Sequence, residues 1–249
     1  MSSHFDPMHQ FEIGSHVFNF SLFNKVFEIS YSTAVMALAA VSVITWLIAS
    51  SRKLSVSNPS KSQVAVEYIV GVCNNMTASA IGRPLEKKDQ FYAKYVFSVF
   101  VFLLVCNIFG LVPGGFAPTA QMSVSLMIGI TAMLVCLSIS VKKHGFKTLK
   151  IFVPNGMPTP LVPLIFIIEL FSYLSRPVSL AIRLAANMLA GHVMLEVIAF
   201  LTISAVPLVA GFPFFFLVML SMIEFGISIL QAYIFSILTA AYIGDAYHH

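Results

Sequence analysis

The sequence predicts an all-α polytopic membrane protein. Hydrophobic residues fill 58% of the 249 positions and charged residues only 10%, against about 25% charged in a soluble domain. The mean hydropathy is +0.90. The apolar residues also fall in runs of roughly 20 or more, the length an α-helix needs to cross a bilayer. A membrane span must satisfy its own backbone hydrogen bonds, so such runs read as helices.

Residues 1–30 are expected to be an external N-terminal segment. Its start is polar and mildly acidic, with neither the basic region nor the apolar core of a signal peptide. The run 31–50 follows as a transmembrane anchor. Residues 62–82 are less apolar and carry Glu67, Asn74, Asn75 and Thr77. They read as an interfacial amphipathic helix lying on the membrane. Runs 92–112 and 121–141 form a transmembrane hairpin. Runs 160–200 and 207–242 are too long for one perpendicular crossing of about 30 Å. Each is either one strongly tilted helix or a broken pair, and we expect long tilted helices. Pro154, Pro158, Pro160 and Pro163 precede or open the first of these, and Pro207 and Pro213 open the second. No internal repeat or low-complexity segment divides the chain, so it reads as a single membrane domain.

Charge suggests the orientation. Eleven of the 14 Lys and Arg fall in three stretches. These hold Arg52, Lys53 and Lys61; Arg83, Lys87, Lys88 and Lys94; and Lys142, Lys143, Lys147 and Lys150. If 62–82 does not cross, all three lie on one side, and the uncharged loop 113–120 lies on the other. The positive-inside rule then puts the N-terminus outside and the C-terminus inside, in the cytoplasm or matrix. Basic residues dispersed in short loops give no reason to expect a nucleic-acid partner. Cys73, Cys106 and Cys136 lack metal or redox spacing and read as packing residues. No cofactor is expected.

Polar residues inside the apolar runs carry the chemistry. Arg183 stands in the middle of one, where a charge that cannot be shed costs at least about 2.5–3.5 kcal/mol. Glu169, Arg176 and Arg183 are spaced by seven and share a helix face, which Asn187 joins. Arg176 precedes Pro177 and could equally be a structural residue at a kink. His192 falls on the opposite face, about 13 Å further along, with Glu196 one turn beyond. Two polar patches at different depths, separated by a permanent cation, suit a proton path. The next run carries a stripe of Ser221, Glu224, Ser228 and Gln231, with Tyr242 beyond. Antiparallel packing is expected to bring His192 near Glu224 and Gln231 near Arg183. Ala190 and Gly191 are small enough to allow close helix approach.

The segments RLAANMLAGH (Arg183–His192) and ILQAYIFSILTAAYI (Ile229–Ile243) resemble subunit a of the F-type ATP synthase, the stator half of its membrane motor. PMHQFEI (Pro7–Ile13), Asn107 and Pro113 in CNIFGLVP, and SRPVSLAIR also match, so the resemblance covers nearly the whole chain. It implies two long tilted helices against a rotating c-ring, with two offset aqueous half-channels. It implies that Arg183 faces the ring and that His192 and Glu224 line the outer half-channel. Glu169 corresponds to the acidic residue of the inner half-channel, and Asn187 and Gln231 to polar residues flanking the arginine. Glu196 is less firmly placed. A histidine after Ala-Gly, with the acid in the last run, is the mitochondrial and alphaproteobacterial arrangement.

The partners implied are the c-ring proteolipid subunits, subunit b and the peripheral stalk, the remaining Fo and F1 subunits, and the lipid bilayer. The location implied is the bacterial inner membrane, or alternatively the mitochondrial inner membrane. No phosphate loop of the G-x-x-x-x-G-K-[ST] kind is present, so ATP chemistry belongs elsewhere and this subunit is non-catalytic. A stand-alone proton-coupled transporter is the alternative; the short chain and the lack of a repeat count against it.

Overall fold

The structure is a computed structural model that describes residues 16–22, 25–52, 55, 59–87, 89–111, 117–145, 161–204 and 211–248. Pro113, the Pro7–Ile13 motif and the prolines at 154, 158, 160 and 207 lie outside the described residues. Two antiparallel strands, β1 (His16–Leu22) and β2 (Lys25–Ser30), come first, with Phe20 paired to Phe27. This hairpin is an addition to the all-α expectation. Apolar Phe18, Phe20 and Leu22 alternate with Asn19 and Ser21, a period-two signal that a search for long apolar runs passes over.

Among the described residues six helices follow: α1 (Tyr31–Ser51), α2 (Lys61–Ile81), α3 (Gln90–Leu111), α4 (Met122–His144), α5 (Val162–Ser204) and α6 (Gly211–His248). A short 3-10 turn, Pro118–Ala120, joins α3 to α4. All six are long and apolar enough to cross a membrane, α2 being the least apolar. Beyond the hairpin the protein is thus an all-α, multi-pass membrane protein. The Ser60 hydroxyl caps α2 by accepting from the Gln63 backbone N–H at 3.2 Å. Gly82 ends it with φ of 73°, a left-handed conformation that favours glycine.

The two long runs are single helices, α5 of 43 residues and α6 of 38. At 1.5 Å per residue α5 is about 65 Å long, roughly twice the hydrocarbon thickness. Pro177 lies inside α5 without ending it. It is buried against α4, where a β-carbon on Gly129 would stand 3.0 Å from its carbonyl oxygen.

The core lies where α3 and α6 meet α2, α4 and α5. Val96, Leu103, Leu184, Met188, Phe235 and Ile243 are all buried there. Cys73, Cys106 and Cys136 are free thiols, also buried. A β-carbon at Gly244 would fall 2.3 Å from the Ala80 carbonyl oxygen, so the backbones of α2 and α6 touch.

At that end four elements converge. Arg83 donates to Asp89 Oδ2 at 3.0 Å, to Glu86 and to the Tyr247 hydroxyl. Lys143, from the end of α4, lies over the Tyr247 ring and donates to its carbonyl. Burial works against the charge on Arg83. The Tyr247 hydrogen bond and the Asp89 and Glu86 carboxylates outweigh it and raise the guanidinium above its ordinary pKa. Arg83 and Lys143, one from each of two basic stretches, therefore meet at one end of the bundle, beside the end of α6.

Candidate proton-transfer site

Antiparallel packing of α5 and α6 builds the site. Three contacts run along their interface. Arg176 Nη1 lies 3.4 Å from Asp245 Oδ2. Asn187 Nδ2 donates to Gln231 Oε1 at 3.2 Å. Glu224 sits on Gly191, where a β-carbon would lie 1.9 Å from Oε1. Arg183 falls between the first two.

Arg183 is exposed, and among the described residues it has no hydrogen bond or ion pair. It lines an open pocket of about 370 Å³ with Ser175, Arg176, Ser179, Leu180, Leu238 and Tyr242. Gln231 shares no hydrogen bond with it among the described residues and does not line this pocket. The register seats Gln231 against Asn187, one turn further along α5, and presents Leu238 and Tyr242 at the level of the arginine. Ala186, Asn187 and Ala190 continue the exposed strip. Ala190 thus leaves the close approach within this chain to Gly191. Glu169 is half-buried and does not line the Arg183 pocket.

On the far side of Asn187 the polar groups turn inward. Glu224 is 5% exposed and His192 8%. Among the described residues neither Glu224 oxygen has a hydrogen-bond partner, and Ser228 Oγ and Gln231 Nε2 are likewise buried and unpaired. Leaving such groups unsatisfied costs about 1–3 kcal/mol each. The three residues lie on one face of α6. The α6 stripe expected from spacing is thus buried at Glu224, Ser228 and Gln231, while Ser221 is exposed. The His192 ring reaches α3: its Nε2 would stand 3.0 Å from a β-carbon on Gly110. Glu196, one turn on, is half-buried.

Sequence reasoning missed two partners. Asp245 pairs with Arg176 across 69 positions, too far for any local pattern to reveal. Asn107, fully buried, donates to the Ser228 carbonyl at 3.2 Å and accepts from the Thr119 hydroxyl at 2.8 Å. An asparagine inside an apolar run was the available signal, since a buried amide there needs partners.

Comparison with known proteins identifies the family. Residues 31–244 match the family described as ATP synthase A chain. The chain is 39% identical over 241 residues to the ATP synthase subunit a of Anaplasma marginale (strain St. Maries), covering 96% of this chain and 98% of that one. It is 39% identical over 224 residues to the ATP synthase subunit a of Anaplasma phagocytophilum (strain HZ), covering 88% and 90%. A match from the first helix into the last, carried by relatives of nearly equal length, makes this chain a member of the ATP synthase subunit a family.

Proposed function

We propose that this protein is the proton-channel stator of an F-type ATP synthase, and that Arg183 separates its two half-channels. The observation that carries this is the position of Arg183. It is a permanent cation on an exposed helix face, without a partner among the described residues, between two polar regions at different levels of the bundle. A charge so placed needs an anion from outside the chain, and the ring carboxylate of a c-subunit supplies one.

In this reading the end where Arg83, Lys143 and Tyr247 converge faces the cytoplasm, by the positive-inside rule, and the N-terminus is outside. α2 then lies along the interface, and α5 and α6 are steeply tilted. The membrane is the bacterial inner membrane. Subunit b with its peripheral stalk and the remaining synthase subunits complete the assembly.

A proton from outside passes Glu224 and His192, with Glu196 towards the outer end, and neutralises a ring carboxylate. The neutral acid can turn into lipid, which a carboxylate cannot do cheaply. On returning to the inner side it gives up its proton beside Arg183, whose charge favours the ionised form. The proton leaves by the pocket around Arg176 and Tyr242 and past Glu169. Asn187 and Gln231, bonded to each other, flank the arginine on its outer side. Each charge moved across 100 mV is worth about 2.3 kcal/mol, so several proton transfers must combine to drive one ATP synthesis.

The test uses the intact synthase reconstituted in vesicles. Arg183→Ala is expected to assemble normally and to lose ATP-driven proton pumping. Coupled pumping at the unmodified rate in that variant overturns the proposal.

A further inference from the structure

Gly110 lies on α3, the helix that faces His192 from outside the α5–α6 pair. A β-carbon there would stand 2.4 Å from Ala117 Cβ, 3.1 Å from Ala117 Cα and 3.0 Å from His192 Nε2. Two separate parts of the chain thus share the space of one methyl group. Ala117 is fixed from behind. Asn107, nearly one turn before Gly110, holds both the Ser228 carbonyl and the Thr119 hydroxyl. The Ser125 hydroxyl donates to the Thr119 carbonyl at 2.7 Å. Asn107, Ala117, Thr119 and Ser125 are all fully buried, so Ala117 is backed by a buried, hydrogen-bonded cluster. The imidazole is a side-chain end, and a side-chain end moves more easily than a packed backbone.

We propose that Gly110 is a positioning residue for His192: its missing side chain is the space in which Nε2 stands, just as Gly191 leaves the space for the Glu224 carboxyl. The inference rests on His192 and Glu224 forming the outer proton path. Two glycines on different helices would then each admit one proton-carrying group. The titratable groups around the imidazole are Glu224 on α6 and Glu196 one turn along α5. In that half of α3 the titratable side chain is the Cys106 thiol, and residues 117–120 carry none. α4 carries Cys136 and its basic residues in its other half.

The experiment measures passive proton flow against pH through the intact synthase in vesicles, for Gly110→Ala, Ala117→Gly and the double variant. Gly110→Ala is expected to slow flow about tenfold or more, as misplacing a reacting group does, and to shift the midpoint of its pH dependence. Ala117→Gly alone is expected to behave as the unmodified protein. The double variant, relieved of the methyl–methyl clash but not of the ring contact, is expected to keep both defects. A double variant that recovers the normal rate and midpoint, or that is absent from the assembled complex, makes Gly110 a packing residue and overturns the proposal. His192→Gln serves as the control. If it changes neither rate nor midpoint, the outer-path reading fails; if it is defective while Gly110→Ala is normal, only the present inference fails.

Discussion

The Glu224 carboxyl group rests on the backbone of Gly191, with Oε1 1.9 Å from where a β-carbon would stand. The contact joins α5 to α6 with no side chain from α5. It also puts the carboxyl beside the residue that precedes His192. Gly191→Ala must therefore displace Glu224 or part the helices. We expect proton flow to fall by the order of 10- to 100-fold, the scale of an ångström-sized misplacement. Vesicle proton uptake by the purified complex measures it. An unchanged rate would show that the carboxyl has room to move.

Glu224→Gln keeps the shape and removes the titratable carboxyl. The expected outcome is normal assembly with proton flow reduced at least about tenfold. Adding His192→Glu supplies an acid within the same polar region and should restore part of the flow. A single variant that conducts normally removes Glu224 from the path.

Arg176 and Asp245 are 39% and 55% exposed in their side chains. An ion pair that open contributes only about 0–1 kcal/mol. Asp245→Asn should thus leave thermal unfolding of the complex nearly unchanged while slowing ATP-driven pumping, because the pair borders the Arg183 pocket. A loss of stability of several kcal/mol would make the pair a packing anchor instead.

Asn107→Ala removes both bonds of a buried amide and strands the Thr119 hydroxyl. Abandoning buried partners costs about 1–3 kcal/mol, so the solubilised complex should unfold at lower temperature. Asn107→Asp, which loses the donor to the Ser228 carbonyl and buries a charge, should be no better.

How much of this was legible depends on distance along the chain. The stripe Glu224–Ser228–Gln231 and the opposed faces of Arg183 and His192 follow from helix periodicity alone, and the structure buries and exposes them in that pattern. The pairing of Asn187 with Gln231 was not legible, because depth along two helices leaves their register open by a turn. The seats at Gly110, Gly191 and Gly244 were illegible as contacts. A glycine announces that space exists, and only the partner helix decides what fills it. The β1–β2 hairpin was missed because its alternation is short and lies outside the apolar runs.

The arrangement around Arg183 also has a mechanical side. A stator must resist sideways force from a turning rotor. Arg176 and Asn187, on either side of the arginine, are both tied to α6. In the proposed reading, a pull from the ring on the guanidinium reaches α5 and is shared with α6 through these two contacts.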